Sequence, residues 1–318
     1  MTGFVVTGAN GFVGRRLCQA LLGLGGRVTG VARHGQPACE GVHNWLSVGN
    51  DFDGLERMWP RCIRSDCVIH LAGRAHIMRD EAAHSLAAYR ATNVDGTVRV
   101  AKAARAAGAR RFVFVSSIKA AGETDGGSPL KETVTPAPVD PYGLSKLEAE
   151  RALTLFGCST GMEIVIVRPP LVYGPGVRAN FLHLMTAIDR GIPLPLGSVD
   201  ARRSMVFLDN LVDALIHCAL HPSAAGETFH VSDGSDLTVA ELVRTLSQQL
   251  NVPTRLIPVP VRMLRIGGRL TGRSEAVERL VSDLRLDISH ISEVLGWRVP
   301  YSIEEGLMKT AMWYRATH

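Results

Sequence analysis

Phe4-Val5-Val6-Thr7-Gly8-Ala9-Asn10-Gly11-Phe12-Val13-Gly14 is the stretch on which the reading of the chain turns. Its first four residues are a β-branched and aromatic run that suits a strand, and the apolar pattern from Val13 to Leu24 suits a helix. Between them Gly8, Gly11 and Gly14 permit a tight turn, which brings backbone N–H groups and a helix N-terminus close to an anionic group such as a dinucleotide pyrophosphate. Gly8, Asn10, Gly11, Phe12, Val13 and Gly14 are therefore candidate cofactor-binding residues. Glycines also turn chains for structural reasons alone, and it is the strand-loop-helix setting that favours the dinucleotide.

Outward from this loop, strand-like runs alternate with helical patterns up to about residue 170: RVTGVA at 27–32, CVIHLA at 67–72, RFVFVSS at 111–117 and EIVIVRP at 163–169. An Ala-rich segment from Ala83 to Ala107 supplies a second covering helix. Such alternation predicts an α/β fold, a Rossmann-type doubly wound parallel sheet covered on both faces. After Pro169-Pro170 the pattern changes to Gly- and Pro-rich loops separated by short helices, which predicts a smaller C-terminal α/β substrate domain. The stretch Met205–Val231 reads as strand, helix, strand and returns to the first unit. The expected division is 1–170 plus about 204–232 for the dinucleotide-binding domain, and about 171–203 plus 233–318 for the substrate domain.

A length of 318 residues exceeds what one core usually serves, so two lobes with a cleft are expected. With 46% hydrophobic and 20% charged residues, the composition excludes a disordered or fibrous chain. The chain carries no basic leader, cleavage site or apolar run of roughly 18 residues, which predicts a cytoplasmic protein without membrane insertion. Cys18, Cys39, Cys62, Cys67, Cys158 and Cys218 form no CxxC pair, and there is no HExxH or histidine cluster; reduced thiols and no metal site are expected. The net charge of +5 has no nucleic-acid-binding module beside it, and is read as drawing in anionic substrates. Arg262, Arg265, Arg269 and Arg273 recur at helical spacing and read as a solvated helix face, with a membrane-surface contact as the alternative.

Where an acid would recognise the ribose 2′-hydroxyl of NAD, the second strand ends Val31-Ala32-Arg33. Arg33 could pair with a 2′-phosphate, which favours NADP (NADPH) and leaves NAD possible; it could also be a plain surface arginine. Further on, Pro141-Tyr142-Gly143-Leu144-Ser145-Lys146 opens a helix on which Tyr142 and Lys146 share one face. A neighbouring ammonium favours the phenolate and moves a phenol towards the range of a general acid or base. Only five of the 35 basic residues are lysines, so Lys146 suggests a need for a compact ammonium. Ser117 closes its strand at the carboxyl edge of the sheet, where its hydroxyl could meet a substrate oxygen; Ser116 is the nearest competitor.

Together these residues resemble the extended short-chain dehydrogenase/reductase family. The likeness runs through TGANGFVG at 7–14, HLAG at 70–73, NVDGT at 93–97, VSSIKAAGE at 115–123, PYGLSK at 141–146, RPPLVYGPG at 168–176 and LGW at 295–297. Within it the chain looks like the nucleotide-sugar branch, which includes UDP-galactose 4-epimerase and sugar-nucleotide 4,6-dehydratases. The resemblance implies a UDP-sugar substrate, with Ser117, Tyr142 and Lys146 as the catalytic set. It adds Leu71, Ala72, Gly73 and Pro169, with Tyr142 and Lys146, to the cofactor contacts. For the diphosphate it points to Asn180 and to Arg203, beside Arg202; a second arginine is missing at Val277, with Arg279 close by. Leu284 matches the residue that limits space around the sugar C2 substituent, which would leave room for an N-acetyl group.

The dehydratases follow their active Thr with an Asp-Glu pair, whereas Ser117 is followed by Ile118-Lys119, so dehydration is not expected. At the finest level SSIK, RAHIMRD at 74–80, RPPLVYGPGVRANF and DISHISEVLGW are similar to bacterial reductases of UDP-4-keto-6-deoxy-N-acetylhexosamine, which serve surface polysaccharide synthesis. The resemblance thus implies an NADPH-dependent 4-ketoreductase, with a 4-epimerase holding NAD as the alternative, since both transfer hydride at C4. It also implies a homodimer through the Ala-rich stretch and the Tyr142 helix.

Overall fold

The computed structural model describes residues 2–33, 39–59, 65–75 and 82–318. Cys62 and most of the RAHIMRD motif lie outside them.

Seven parallel strands form the main sheet: β1 (Gly3–Thr7), β2 (Arg27–Ala32), β3 (Asn44–Ser47), β4 (Cys67–His70), β5 (Arg111–Val115), β6 (Glu163–Arg168) and, returning late in the chain, β9 (Thr228–His230). Their order across the sheet is β3-β2-β1-β4-β5-β6-β9. Between β6 and β9 the chain lays down β7 (Leu171–Tyr173) and β8 (Arg202–Phe207), which pair with β10 (Asp236–Thr238) in a separate three-stranded sheet. The expected Rossmann-type fold is present, and every strand read from the sequence before residue 170 is found within a residue or two of its expected start.

Strand side chains alternate between faces, so each strand feeds two cores. Val5, Val31, Val68, Phe112, Phe114 and Ile166 point to one face, under α4 (Thr97–Ala106) and α5 (Pro141–Thr160). Val6, Val28, Ile69, Val113 and Val167 point to the other, under α1 (Phe12–Gly23), α7 (Leu208–Leu220) and α11 (Ser289–Leu295). A third cluster around Tyr173, Phe181, Phe207, Leu246 and Leu307 builds the smaller lobe from α6 (Ala179–Asp189), α8 (Val239–Leu250) and α12 (Ile303–Thr317). Both α8 and α12 start on a capping box, Thr238 with Glu241 and Ser302 with Glu305.

The segment 205–231 divides as its pattern suggests, with one difference. Strand β8 joins the small sheet, α7 packs beside α1, and β9 completes the large sheet. Where the two lobes meet, Asp233 accepts from Tyr173 Oη at 2.8 Å, from Asn210 Nδ2 at 2.7 Å and from the Phe207 N–H at 2.8 Å. The LGW motif earns its place through Trp297, fully buried, whose Nε1 donates to Asp213 on α7 at 2.8 Å.

The Ala-rich segment is not a single α-helix. Helix α3 (Ala82–Arg90) passes through a π-turn at Ala91–Gly96 before continuing as α4. The arginines at 262–273 fall on and just beyond α9 (Val261–Leu270), and Arg265 pairs with Glu278 of α10 (Ser274–Val281) at 2.9 Å. Among the described residues no helix is long and apolar enough to cross a membrane.

Candidate active site

The glycine loop is shaped for close approach. Gly8 adopts φ +67°, open to glycine at little cost, and a Cβ there would lie 3.1 Å from the Ala72 nitrogen. A Cβ on Gly14, in the first turn of α1, would run into the Gly8 carbonyl oxygen. The loop rests on a buried chain of polar side chains: Thr7 Oγ1 meets His70 Nδ1 at 2.8 Å, and His70 Nε2 meets Thr97 Oγ1 at 3.0 Å. Thr7 Oγ1 also accepts from the Ala72 N–H at 3.2 Å, which ties the HLAG segment to the loop. Burial drives His70 down to about 3, so this ring is neutral.

A cavity of about 590 Å³ opens at this edge of the sheet, lined by Gly8, Asn10, Gly11, Arg33, Leu71, Ala72 and Gly73 among others. These are the expected cofactor contacts, gathered from the ends of three strands. Phe12, Val13 and Gly14 stand behind them in the start of α1. Arg33, at the end of β2, is exposed and lines the same cavity. Sequence reasoning missed Asp51, Phe52 and Thr92, which line the same cavity, and Asn93. Asn93 is buried and pins the loop after β4: its Oδ1 accepts from the Arg74 N–H at 2.8 Å and its Nδ2 donates to Ser145 Oγ at 3.0 Å. The NVDGT motif was the signal for it.

The catalytic candidates converge where the cavity ends. Ser117 caps a short 3-10 turn at Ile118–Ala120, and that turn is held by the Pro169 carbonyl, which accepts from the Ile118 N–H at 3.0 Å. Asp140 caps α5 by accepting from the Gly143 N–H at 2.6 Å, with Pro141 in the first turn, so the helix begins at a fixed point and presents Tyr142 and Lys146 on one side. The Tyr142 hydroxyl is hydrogen-bonded to Ser117, and burial pushes the phenol up to about 12. Lys146 is buried, donates to the Val115 carbonyl at 2.8 Å and lies 4.3 Å from the Phe114 ring centre. Desolvation lowers it to about 7, with Glu150 opposing the fall. A Cβ on Gly73 would come within 3.8 Å of Lys146 Nζ, so cavity and catalytic set form one site.

Lys119, which stands where the dehydratases carry an acid, is held by Glu123 at 2.8 Å and Asp140 at 2.5 Å. It braces the start of the Tyr142 helix. Leu284 is buried with Ile118, Ala121, Leu130 and Leu286, directly beside the turn that Ser117 caps. Arg203 pairs with Leu284 in a bridge, and its Nη1 donates to the carbonyls of Arg279 at 2.5 Å and Ser282 at 3.0 Å. Arg203, Arg279 and Leu284 therefore come together. Asn180 is exposed near the start of α6, next to Ala179, which is held at φ +53°. A left-handed alanine is costly, and such strain gathers at ligand-binding positions.

The groove fits a dinucleotide: a backbone that only glycine permits, a helix N-terminus facing it, and a lysine at its inner end. Comparison with known proteins agrees. The model of the NAD dependent epimerase/dehydratase family matches residues 4–232. A UDP-glucose 4-epimerase of Vibrio cholerae is 44% identical over 310 residues, covering 96% of this chain and 94% of its own. Among solved structures, MoeE5 in complex with UDP-glucose and NAD superimposes with a TM-score of 0.79 at 25% identity, covering 99% of each chain. The UDP-glucose 4-epimerase of Thermotoga maritima with UDP-glucose does so with a TM-score of 0.79 at 26% identity, again covering 99% of each chain. The chain belongs to the NAD-dependent epimerase/dehydratase family, within the extended short-chain dehydrogenases/reductases, and is an enzyme of its nucleotide-sugar branch.

Proposed function

We propose that this enzyme is a UDP-hexose 4-epimerase working with NAD. The observation that carries the reading is the 44% identity, over nearly the whole length of both chains, to a protein named for that activity. It moves the weight from the 4-ketoreductase, favoured by the finest motifs, to the epimerase that stood as its alternative. MoeE5 is solved in complex with NAD, which supports NAD here in spite of Arg33.

In this reading the cavity at the glycine loop holds the dinucleotide, which supplies the acceptor and donor for the C4 hydride. Tyr142 takes the proton of the C4 hydroxyl and gives it back, and Ser117 holds the same oxygen by a hydrogen bond. Lys146 shares a helix face with Tyr142, and in its protonated form it favours the phenolate against the burial that raises the phenol. Arg203, Arg279 and Asn180 flank the UDP diphosphate, and Leu284 bounds the sugar. The domain division expected from the sequence is proposed here as well, except that β8 goes with the smaller lobe, in whose sheet it pairs. A homodimer is proposed through α3 to α5.

The test is to incubate the purified protein with UDP-galactose and no added reductant. Appearance of UDP-glucose is the expected result. Steady oxidation of NADPH by UDP-4-keto-6-deoxy-N-acetylglucosamine, with UDP-galactose unchanged, would overturn it in favour of the ketoreductase.

A further inference from the structure

Behind the catalytic set lies a buried ionic cluster that the mechanism above does not use. Glu150, one helical turn beyond Lys146, is only 3% exposed. Its carboxylate receives Arg168 in a bidentate pair, Nε to Oε1 at 2.9 Å and Nη2 to Oε2 at 2.6 Å. Ser116 Oγ donates to Oε1 at 2.5 Å. Ser116 and Arg168 are themselves buried, at 4% and 6% exposure. Removing charges from water costs more than a surface pair returns, so a buried cluster of this kind is a poor way to gain stability alone.

Its anchors have a common feature. Ser116 directly precedes Ser117, Arg168 directly precedes Pro169, and Glu150 shares a helix face with Lys146. We infer that Glu150 is a positioning residue of the catalytic apparatus: its carboxylate locks the strand ends carrying Ser117 and Pro169 to the helix carrying Lys146, and presents a buried negative charge to that lysine. The inference rests on the assignment of Ser117, Tyr142 and Lys146 as the reacting set.

The groups around Lys146 leave this role to Glu150. From β4 the neighbour is His70, which burial keeps neutral; from α5 itself Tyr142 is protonated at neutral pH; from β5 come the Val115 carbonyl and the Phe114 ring. Glu150 is the one carboxylate that acts on Lys146 among the described residues. Loss of its charge, with its shape kept, therefore lowers the pH at which the ammonium deprotonates, and with the ammonium goes the stabilisation of the phenolate.

The test compares wild type, Glu150→Gln and Glu150→Asp. Glu150→Gln is expected to move the alkaline limb of the kcat profile down by about one pH unit, to lower kcat about tenfold at pH 8, and to leave KM for the sugar within twofold. Glu150→Asp, which keeps the charge, should restore most of the profile. If Glu150→Gln does not fold because Arg168 is left buried and unpaired, the double variant Glu150→Gln/Arg168→Met removes that penalty; its limb should still lie below that of the wild type, by less than about one pH unit because the opposing charge of Arg168 is lost as well, and a limb at the wild-type position would overturn the inference. A kcat reduced equally at every pH would make Glu150 merely structural and overturn the inference. A readout that needs no sugar separates this from failure of the epimerase reading. With NAD bound, the titration of Lys146 itself, followed by NMR of the lysine side chains and assigned with Lys146→Met, should move downward by about one pH unit in Glu150→Gln and stay put if the inference is wrong.

Discussion

Among the described residues, the ammonium of Lys146 lies 4.3 Å from the centre of the Phe114 ring and donates to the Val115 carbonyl, and Glu150 opposes without cancelling the cost of burying its charge. In the unfolded chain a lysine keeps its proton to about pH 10.4, whereas in the fold Lys146 keeps it only to about 7. Between those limits the unfolded chain binds more protons, so the stability contributed by this site rises with pH. Lys146→Met should therefore match or exceed the wild-type melting temperature at pH 7 and lose ground to the wild type by pH 9. Turnover should fall about 100-fold or more, and melting curves at both pH values beside activity assays check both halves.

Tyr142→Phe removes the proton donor and leaves the ring that packs 5.9 Å from Tyr89. Turnover should drop roughly 10²- to 10⁴-fold with NAD affinity within a factor of two. Retention of most activity would remove Tyr142 from the mechanism.

Gly14→Ala places a methyl group against the Gly8 carbonyl in the turn that faces the cofactor. The turn must open, and NAD affinity measured by calorimetry should weaken by about 100-fold, near 2.7 kcal/mol. Gly23→Ala is the control: it sits at the end of the same helix, a Cβ there meets nothing within 4 Å, and affinity should be unchanged.

Arg33 bears on cofactor choice. In an NAD enzyme Arg33→Ala leaves NAD affinity within about threefold while weakening NADP about tenfold, the loss of one charge-assisted contact worth roughly 1.4 kcal/mol. Equal weakening of both dinucleotides would place Arg33 on the adenosine itself.

How much of this was legible in the sequence follows from how local each signal is. Strand β2 was found to the residue because RVTGVA is a β-branched run bounded by Gly26 and Arg33. The placement of Tyr142 and Lys146 on one side of α5 was legible because a helix fixes the relation of i to i+4. Strand β3, NWLS, was missed because four residues with half-exposed side chains carry too little periodicity. The Glu150 cluster was illegible for a different reason: Ser116, Glu150 and Arg168 are far apart in the chain and meet only through the sheet order. Nothing local distinguishes that glutamate from Glu148, half-buried on the same helix and paired with Arg90.

Leu284 offers a test of sugar choice. Leu284→Tyr adds bulk beside Ile118 and the Ser117 turn, and overpacking there should cost about 1–3 kcal/mol of stability. Any turnover of UDP-N-acetylhexosamines should fall at least tenfold while UDP-galactose turnover is reduced less. An equal loss for both sugars would mean that Leu284 does not border the C2 substituent.

The π-turn at Ala91–Gly96 places a constraint of another kind on this enzyme. Because each residue of a helix advances the chain by about 100°, deleting one residue from this turn would rotate α3 against α4 by that amount. Asn93, which ties the loop after β4 to Ser145, and Thr97, which ends the chain of contacts from Thr7, would then no longer face their partners together. Loops on the protein's rim absorb insertions and deletions with little effect, whereas here the number of residues matters as much as their identity. Natural variants and engineered libraries alike should tolerate many substitutions along this helix and almost no change in its length.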